Sequence, residues 1–444
     1  MNTSSQILLS LLLATVLGGA PAMAAPATGA ADIRCAAQAC ERLGFDAERL
    51  SRLDRAMEKV VADGRVPGLS YTLIRHGQVV EERHIGLASA EKAKPEAPDT
   101  IYRIYSMTKP VTGVAMMILF EQGKWRLDDP VTRYVPEFKD LKVMTGVDEQ
   151  GRPILVPAKR PPTMRELMSH TAGFGYGLQD KHPVDKMFRE RDVLNSTSLK
   201  DMIQRISGIP LMYQPGTSWY YSSAVDIQGY IVEKLSGQTL GAFMADNVFK
   251  PLKMTDTAFY TGPAKASRLA AVYVADEKTG KLSEAKELFG RSMPDYVRPP
   301  NAESGGGGLV STLSDYARFT KMLVNGGELD GVRILNPRTV ALMTTNVIPQ
   351  SVLVSSNGVT PSRFNEAVGF GLDLMVVNDP LKAGSIEGKG DFSWGGAAGT
   401  WFWGDPTNDI VFVGMIQRLG GSGGDDLGQM ARTLVYQALI HPEK

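Results

Sequence analysis

Ser106 and Lys109 stand three residues apart in YRIYSMTKPVTGVAMMILFEQG (102–123), and side chains at that spacing share one face of a helix. A lysine that faces a buried region is pushed toward its neutral form by desolvation, and a neutral amine can take a serine proton. The pair could therefore make an activated nucleophile. S-x-x-K alone is a weak pattern, because it recurs at Ser89/Lys92 and Ser283/Lys286, both in charged, solvated runs. Only Ser106 adjoins an apolar run, with Val111, Val114, Ala115, Ile118 and Leu119 at the spacing of an amphipathic helix and Gly123 as its stop. Pro110 is tolerated only near a helix start, which puts Ser106 at or beside the N-terminus, in the field of free N–H groups. At this point a capped helix with a surface lysine remains an equal alternative.

Two later segments add chemistry. In YQPGTSWYYSSAVDIQGYIVEKLSG the cluster Trp219-Tyr220-Tyr221-Ser222-Ser223 precedes a helical pattern, and a tyrosine beside a serine and a lysine can carry protons. In FSWGGAAGTWFWGDP, Trp394-Gly395-Gly396 leads into a strand, and paired glycines let a backbone approach a ligand closely. Ser422 in GGSGG formally matches G-x-S-x-G. A histidine should follow it, and only His441 does, so a turn is the better account. His170, in LMSHTAGFGYG, reads as structural. No H-E-x-x-H or Cys/His cluster suggests a metal, and no cofactor is expected.

These residues need a scaffold, and the chain has length for one large or two ordinary domains. Lys plus Arg and Asp plus Glu both number 48, so no net field favours nucleic acid or anionic lipid as partner. A small uncharged substrate is preferred. Residues 1–24 read as a secretory signal, with an apolar run from Ile7 to Val16 and an A-x-A site ending at Ala24. The run is too short to span a bilayer, so the expectation is a periplasmic or secreted protein without stable membrane insertion. No Lys or Arg precedes that run, which leaves an uncleaved anchor as the minor alternative. Cys35 and Cys40 could pair in an oxidising compartment.

The mature chain, 25–444, reads as α+β. FDAERLSRLDRAMEKVVADG is an amphipathic helix, and two β-rich runs flank His76-Gly77 as a hairpin. A second hairpin turns at Asp405-Pro406-Thr407-Asn408, and DDLGQMARTLVYQALI closes the chain as a helix. Strands thus cluster at both ends. The expected architecture is one antiparallel sheet built from about 45–127 and 301–444, with a mainly helical insertion over about 128–300.

Taken together, IYRIYSMTKPVTGVAMMILFEQG, LMSHTAGF, PGTSWYYSSAVDIQGYIVEKLSG, SGGGGLVSTLSDYARF and SWGGAAGTWFWGDP resemble, in order, the class C β-lactamase-like serine hydrolases called family VIII carboxylesterases, of the β-lactamase/penicillin-binding-protein superfamily. The resemblance implies a β-lactamase/DD-peptidase-like fold and cleavage of short-chain esters through an acyl-enzyme on Ser106. It implies activation by Lys109 and Tyr221, an oxyanion hole from the N–H groups of Ser106 and Ala397, and substrate contacts from Trp394, Gly395, Gly396 and Ser223. Two departures bear on substrate. The Y-x-N of penicillin-recognising members reads Tyr221-Ser222-Ser223, and their K-T-G reads Trp394-Gly395-Gly396. The lost lysine would have paired with the β-lactam carboxylate, which tilts the expectation toward neutral esters, although Arg418 could compensate. A β-lactamase or D-amino-acid peptidase using the same site is the nearest rival, and a non-catalytic periplasmic binding module a remote one.

Overall fold

The structure is a computed structural model and describes residues 32–179, 181–288, 290–353, 364–420 and 424–442. The expected leader and Ser422 lie outside these residues. Eight strands form the path of the main sheet: β1 (Ile33–Arg34), β2 (Gly68–Arg75), β3 (Gln78–Ser89), β4 (Val368–Phe370), β5 (Met375–Val377), β6 (Phe392–Gly395), β7 (Trp401–Asp405) and β8 (Ile410–Met415). Their order is β1-β3-β2-β8-β7-β6-β5-β4, antiparallel throughout, and a ninth short strand, Lys94–Pro95, pairs with β3. The two chain ends meet where β2 pairs with β8, from Ser70↔Met415 to Arg75↔Ile410. The sheet is therefore closed by residues more than three hundred positions apart.

Both hairpins follow from local turn chemistry. His76 and Gly77 have φ of 50° and 71°, the two positive values that a two-residue turn between twisted strands requires. Alternation then sorts the side chains. Trp401, Trp403, Ile410 and Phe412 enter one core with Tyr71, while Phe402, Val411, Val413 and Met415 enter the other. The first core is covered by α1 (Ala47–Ala62), through Leu53, Met57 and Val60, and by the last helix, Gly424–Tyr436, through Leu427, Ala431 and Val435. Among the described residues no helix is long and apolar enough to cross a membrane. Cys35 and Cys40 are joined by a disulfide beside the start of the sheet.

On the other face lie α2 (Thr108–Glu121), α3 (Ala224–Ser236) and α4 (Leu313–Val324). The spacing suggests an amphipathic α2, but the helix is buried on every side from Thr108 to Leu119. Its polar members Thr108, Lys109 and Thr112 are interior residues with specific partners, which hydropathy spacing counts as surface. Between α2 and α4 the chain is not only helical. Lys142–Val147 and Pro153–Pro157 form a hairpin, joined through Val143 to Leu211, and Tyr273–Ala275 pairs with Leu282–Glu284 and Arg418–Leu419.

Gly414 faces the first core opposite Trp401, and a Cβ there would stand 2.2 Å from the indole ring. Gly414→Ala should cost about 1–3 kcal/mol by forcing that ring aside. Urea unfolding of the variant checks this, and an unchanged midpoint would show that the ring moves freely.

Candidate active site

Ser106 sits on a single 3₁₀ turn, Tyr105–Met107, that runs directly into α2. The turn is pinned from below. The Ile104 N–H donates to the Leu309 carbonyl at 3.1 Å, the Tyr316 hydroxyl to the Met107 carbonyl at 2.8 Å, and the Leu309 N–H to the Thr108 hydroxyl at 3.1 Å. Tyr105 takes a positive φ of 41°, a costly conformation for a bulky residue. Its strain accompanies the presentation of Ser106 to the cleft.

One helical turn on, Lys109 is fully buried. Its amine donates to the Gly306 carbonyl at 2.6 Å and lies 3.4 Å from Ser106 Oγ and 3.5 Å from the Tyr176 hydroxyl. Two phenol rings box it in: the Tyr221 ring centre is 4.4 Å away and that of Tyr176 5.2 Å. The reading of Lys109 as a surface residue is thereby removed. Tyr221 is half-buried, and its hydroxyl has no hydrogen-bond partner among the described residues.

Tyr221 is held by its neighbours. The Tyr220 N–H donates to the His170 carbonyl at 3.0 Å, and the Ser222 N–H and hydroxyl both reach His170 Nδ1, at 3.2 and 2.9 Å. His170 thus grips the residue on each side of Tyr221, a structural role as the sequence suggests. An Nδ1 that accepts from an amide belongs to a neutral imidazole. Ser223, expected to meet substrate, is not among the residues that line the cleft. It is fully buried just before α3, its hydroxyl and N–H both donating to the Gly175 carbonyl at 3.1 and 3.0 Å.

Trp394 at the end of β6 stands against Tyr221 and Phe370, with ring centres 5.6 and 5.3 Å away. The following turn folds back tightly. The Gly396 N–H donates to the Thr400 carbonyl at 2.7 Å, and the Arg418 N–H to the Ala398 carbonyl at 2.8 Å. A Cβ on Gly396 would come within 2.4 Å of the Ile104 carbonyl, so glycine is what lets this turn close on the segment before Ser106. Gly395, Gly396 and Ala397 line the same cleft as Ser106, Tyr176, Tyr221 and Trp394, a space of about 1290 Å³. Arg418 also lines it, but one of its guanidinium nitrogens donates to the Arg65 carbonyl at 3.0 Å.

The model of the Beta-lactamase family matches residues 53–437. The chain belongs to that family. Protein Rv1367c of Mycobacterium tuberculosis is 34% identical over 82% of this chain and 88% of its own length. Esterase EstB of Burkholderia gladioli is 30% identical over 81% of this chain and 88% of its own. The solved structure of EstCE1, a hydrolase with promiscuous acyltransferase activity, agrees at a TM-score of 0.72 and 26% identity over 88% of this chain and 99% of that one. The β-lactamase fold and the esterase relatives make this protein a serine hydrolase.

Within this β-lactamase-family site the sequence reading missed two contributors. Tyr176 reaches Lys109 from the loop after His170, held by Asp185, whose carboxylate accepts the N–H groups of Tyr176 and Gly177, both at 2.9 Å, and the Tyr220 hydroxyl at 2.5 Å. Gly306 supplies the carbonyl for the lysine. Neither lies at a fixed spacing from Ser106, and the glycines around each were the only sign. Among the described residues no group of three His, Cys, Asp or Glu could hold a metal.

Burial, and then the nearby Lys109 charge, hold His170 well below the usual imidazole range. The unfolded chain therefore binds a proton near pH 6.5 that the folded chain refuses, and stability falls as pH drops below 6.5. In His170→Gln this share of the slope should disappear. Chemical denaturation between pH 5 and 7 measures it, and equal slopes in the two proteins would refute a neutral, buried His170.

Proposed function

We propose that the protein is an exported carboxylesterase that hydrolyses neutral esters, short acyl chains included, through an acyl-enzyme on Ser106. One observation carries this reading: the fully buried Lys109 amine lies 3.4 Å from Oγ of Ser106, which lines a cleft with aromatic walls. In the proposed cycle the Ser106 proton passes to Lys109 or Tyr221 as Oγ attacks the ester carbonyl carbon. The N–H groups of Ser106 and Ala397 would receive the oxyanion, the term usually largest in acyl transfer. Tyr221 would return a proton to the leaving alcohol, and water would attack the acyl-enzyme to release the acid and restore Ser106.

The preference for neutral esters rests on Trp394, which places an indole where an ammonium would face a β-lactam carboxylate. A charge-assisted hydrogen bond is worth roughly 1.5–3 kcal/mol, or one to two powers of ten in rate or affinity. Arg418 lines the cleft and spends only one guanidinium nitrogen on the Arg65 carbonyl, so it keeps its charge and is the cation that an anionic substrate would meet there. The cleft exceeds the several hundred Å³ of ordinary small-molecule pockets, so its size sets no bar to bulkier acyl or alcohol groups. Export is supported by the Cys35–Cys40 disulfide, a bond that persists in oxidising compartments.

Hydrolysis of p-nitrophenyl butyrate should vanish in Ser106→Ala, with a chromogenic cephalosporin slow in the wild type. Turnover surviving in the variant would point back to Ser422. Tyr221→Phe should lower turnover by ~10²–10⁴, the range of general acid–base groups, and an unaffected rate would remove Tyr221 from proton transfer. Trp394→Lys should raise the cephalosporin-to-ester rate ratio, whereas a constant ratio would refute the charge argument.

A further inference from the structure

Ser304–Gly308, the glycine run that the sequence leaves without a role, passes beside the Lys109 amine as a strap between α2 and α3. Its polar groups are tied to both helices. The Gly305 carbonyl accepts from the Thr112 hydroxyl of α2 at 2.8 Å, and the Gly306 carbonyl accepts from Lys109 at 2.6 Å. From α3, a single oxygen of Asp226, Oδ1, accepts both the Ser304 hydroxyl at 2.5 Å and the Gly306 N–H at 3.0 Å. Asp226 is only 1% exposed and lies in the first turn of α3, where free N–H groups favour an acidic side chain.

The strap has no room for side chains at its centre. A Cβ on Gly306 would stand 2.6 Å from Asp226 Oδ2 and 2.8 Å from the Tyr176 hydroxyl, and one on Gly305 would stand 2.6 Å from the Val225 carbonyl. Glycine therefore permits a close approach here, and Asp226 fixes where the approach ends. To act as a proton acceptor the Lys109 amine must present one lone pair beside two hydrogens. The Gly306 carbonyl can only accept, so it holds one hydrogen and sets the rotation of the amine. What remains is directed at the Ser106 and Tyr176 hydroxyls.

We infer that Asp226 is a positioning residue for acyl transfer: by clamping the Ser304–Gly308 strap it holds the Gly306 carbonyl against Lys109 and so aims the amine at Ser106. The inference rests on the reading of Ser106 as nucleophile and Lys109 as a proton acceptor. Asp226 itself lines neither the Ser106 turn nor the cleft; besides the strap, burial and then its charge push the Tyr176 phenol up, a second route that Asp226→Asn separates from the clamp. The other groups facing or sensing the Lys109 amine are the Tyr176 and Tyr221 phenols and, electrostatically, the buried Asp373 and His170.

The test compares Asp226→Ala, Asp226→Asn and Ser304→Ala by p-nitrophenyl butyrate hydrolysis across pH, with thermal unfolding alongside and Ser106→Ala as reference. Asp226→Ala should lower kcat about 10- to 100-fold, the cost of a small misplacement at a reacting centre, with KM little changed. It should also move the acid limb of the kcat/KM profile to lower pH, because a carbonyl held against the amine favours the ammonium, and a loosened strap withdraws that preference. Asp226→Asn keeps an oxygen that can accept both hydrogen bonds and should recover most of the rate. Ser304→Ala, losing one clamp and no charge, should fall between.

A role confined to stability would lower the unfolding temperature and leave kcat and the acid limb of the folded protein in place; that result overturns the inference. So does an asparagine variant as impaired as the alanine one, which would make charge and not the clamp the cause. If Asp226→Ala does not fold, Ser304→Ala decides in the same way, an unmoved kcat and limb counting against the strap. Ester turnover persisting in Ser106→Ala would sink the underlying reading instead, which separates the two failures.

Discussion

Burial of the Lys109 amine is the constraint around which this molecule is arranged. A group that carries charge in water is expensive to hold in an interior, and the expense is met only by partners placed to receive it. Here the partners are one carbonyl at 2.6 Å, two phenol faces and the hydroxyls of Ser106 and Tyr176. They come from four separate stretches of chain, so the amine can be satisfied only when all four are in place. A helix buried on every side is what brings them together, since α2 offers Lys109 to its surroundings without exposing it to water.

The sheet supplies the rest by closing the chain on itself. The Ser106 turn follows the first hairpin, whereas the Gly396 turn belongs to the last strands, and the two are brought side by side by pairing of β2 with β8. This pairing is among the least local contacts in the chain, and its loop-closure entropy is spent before it gains anything. Once formed, it sets the Gly396 turn against Ile104 with contacts too close for any side chain but hydrogen. The geometry at Ser106 is thus inherited from a rigid sheet, while Tyr176, Tyr221 and the strap come from the helical side.

How much of this was legible depended on whether the signal was local. Ser106 and Lys109 could be singled out because their i, i+3 spacing is followed by an apolar helical run, which the same spacing at Ser89/Lys92 and Ser283/Lys286 lacks. Tyr221 and Trp394 needed the order of whole segments, since nothing local ties an aromatic to a serine more than a hundred positions away. Tyr176 escaped because its approach depends on Asp185 gathering the backbone of its loop, an arrangement with no periodic trace. Ser223 misled for a physical reason: the residue before a buried helix start turns inward to the Gly175 carbonyl, while Tyr221, two places earlier, remains at the cleft. The exposed hairpin over 142–157 was legible in hindsight from alternation and the turn glycine Gly151, but the prolines on either side read as helix punctuation.

On the proposed reading, Trp394 places specificity and catalysis on one wall of this site. Its indole packs against both Tyr221 and Phe370, and Tyr221 in turn contacts His170 and Tyr176. The residue that takes the place of a carboxylate-binding lysine is therefore also a buttress of the phenol proposed to carry protons. A cation in its place would gain an attraction for anionic substrates and lose an aromatic support, with opposite effects on the two steps that depend on it. The proposed preference for neutral substrates would then follow from packing as much as from charge: the indole stands in place of a cation while its ring packs against Tyr221, whose own ring lies over the Lys109 amine.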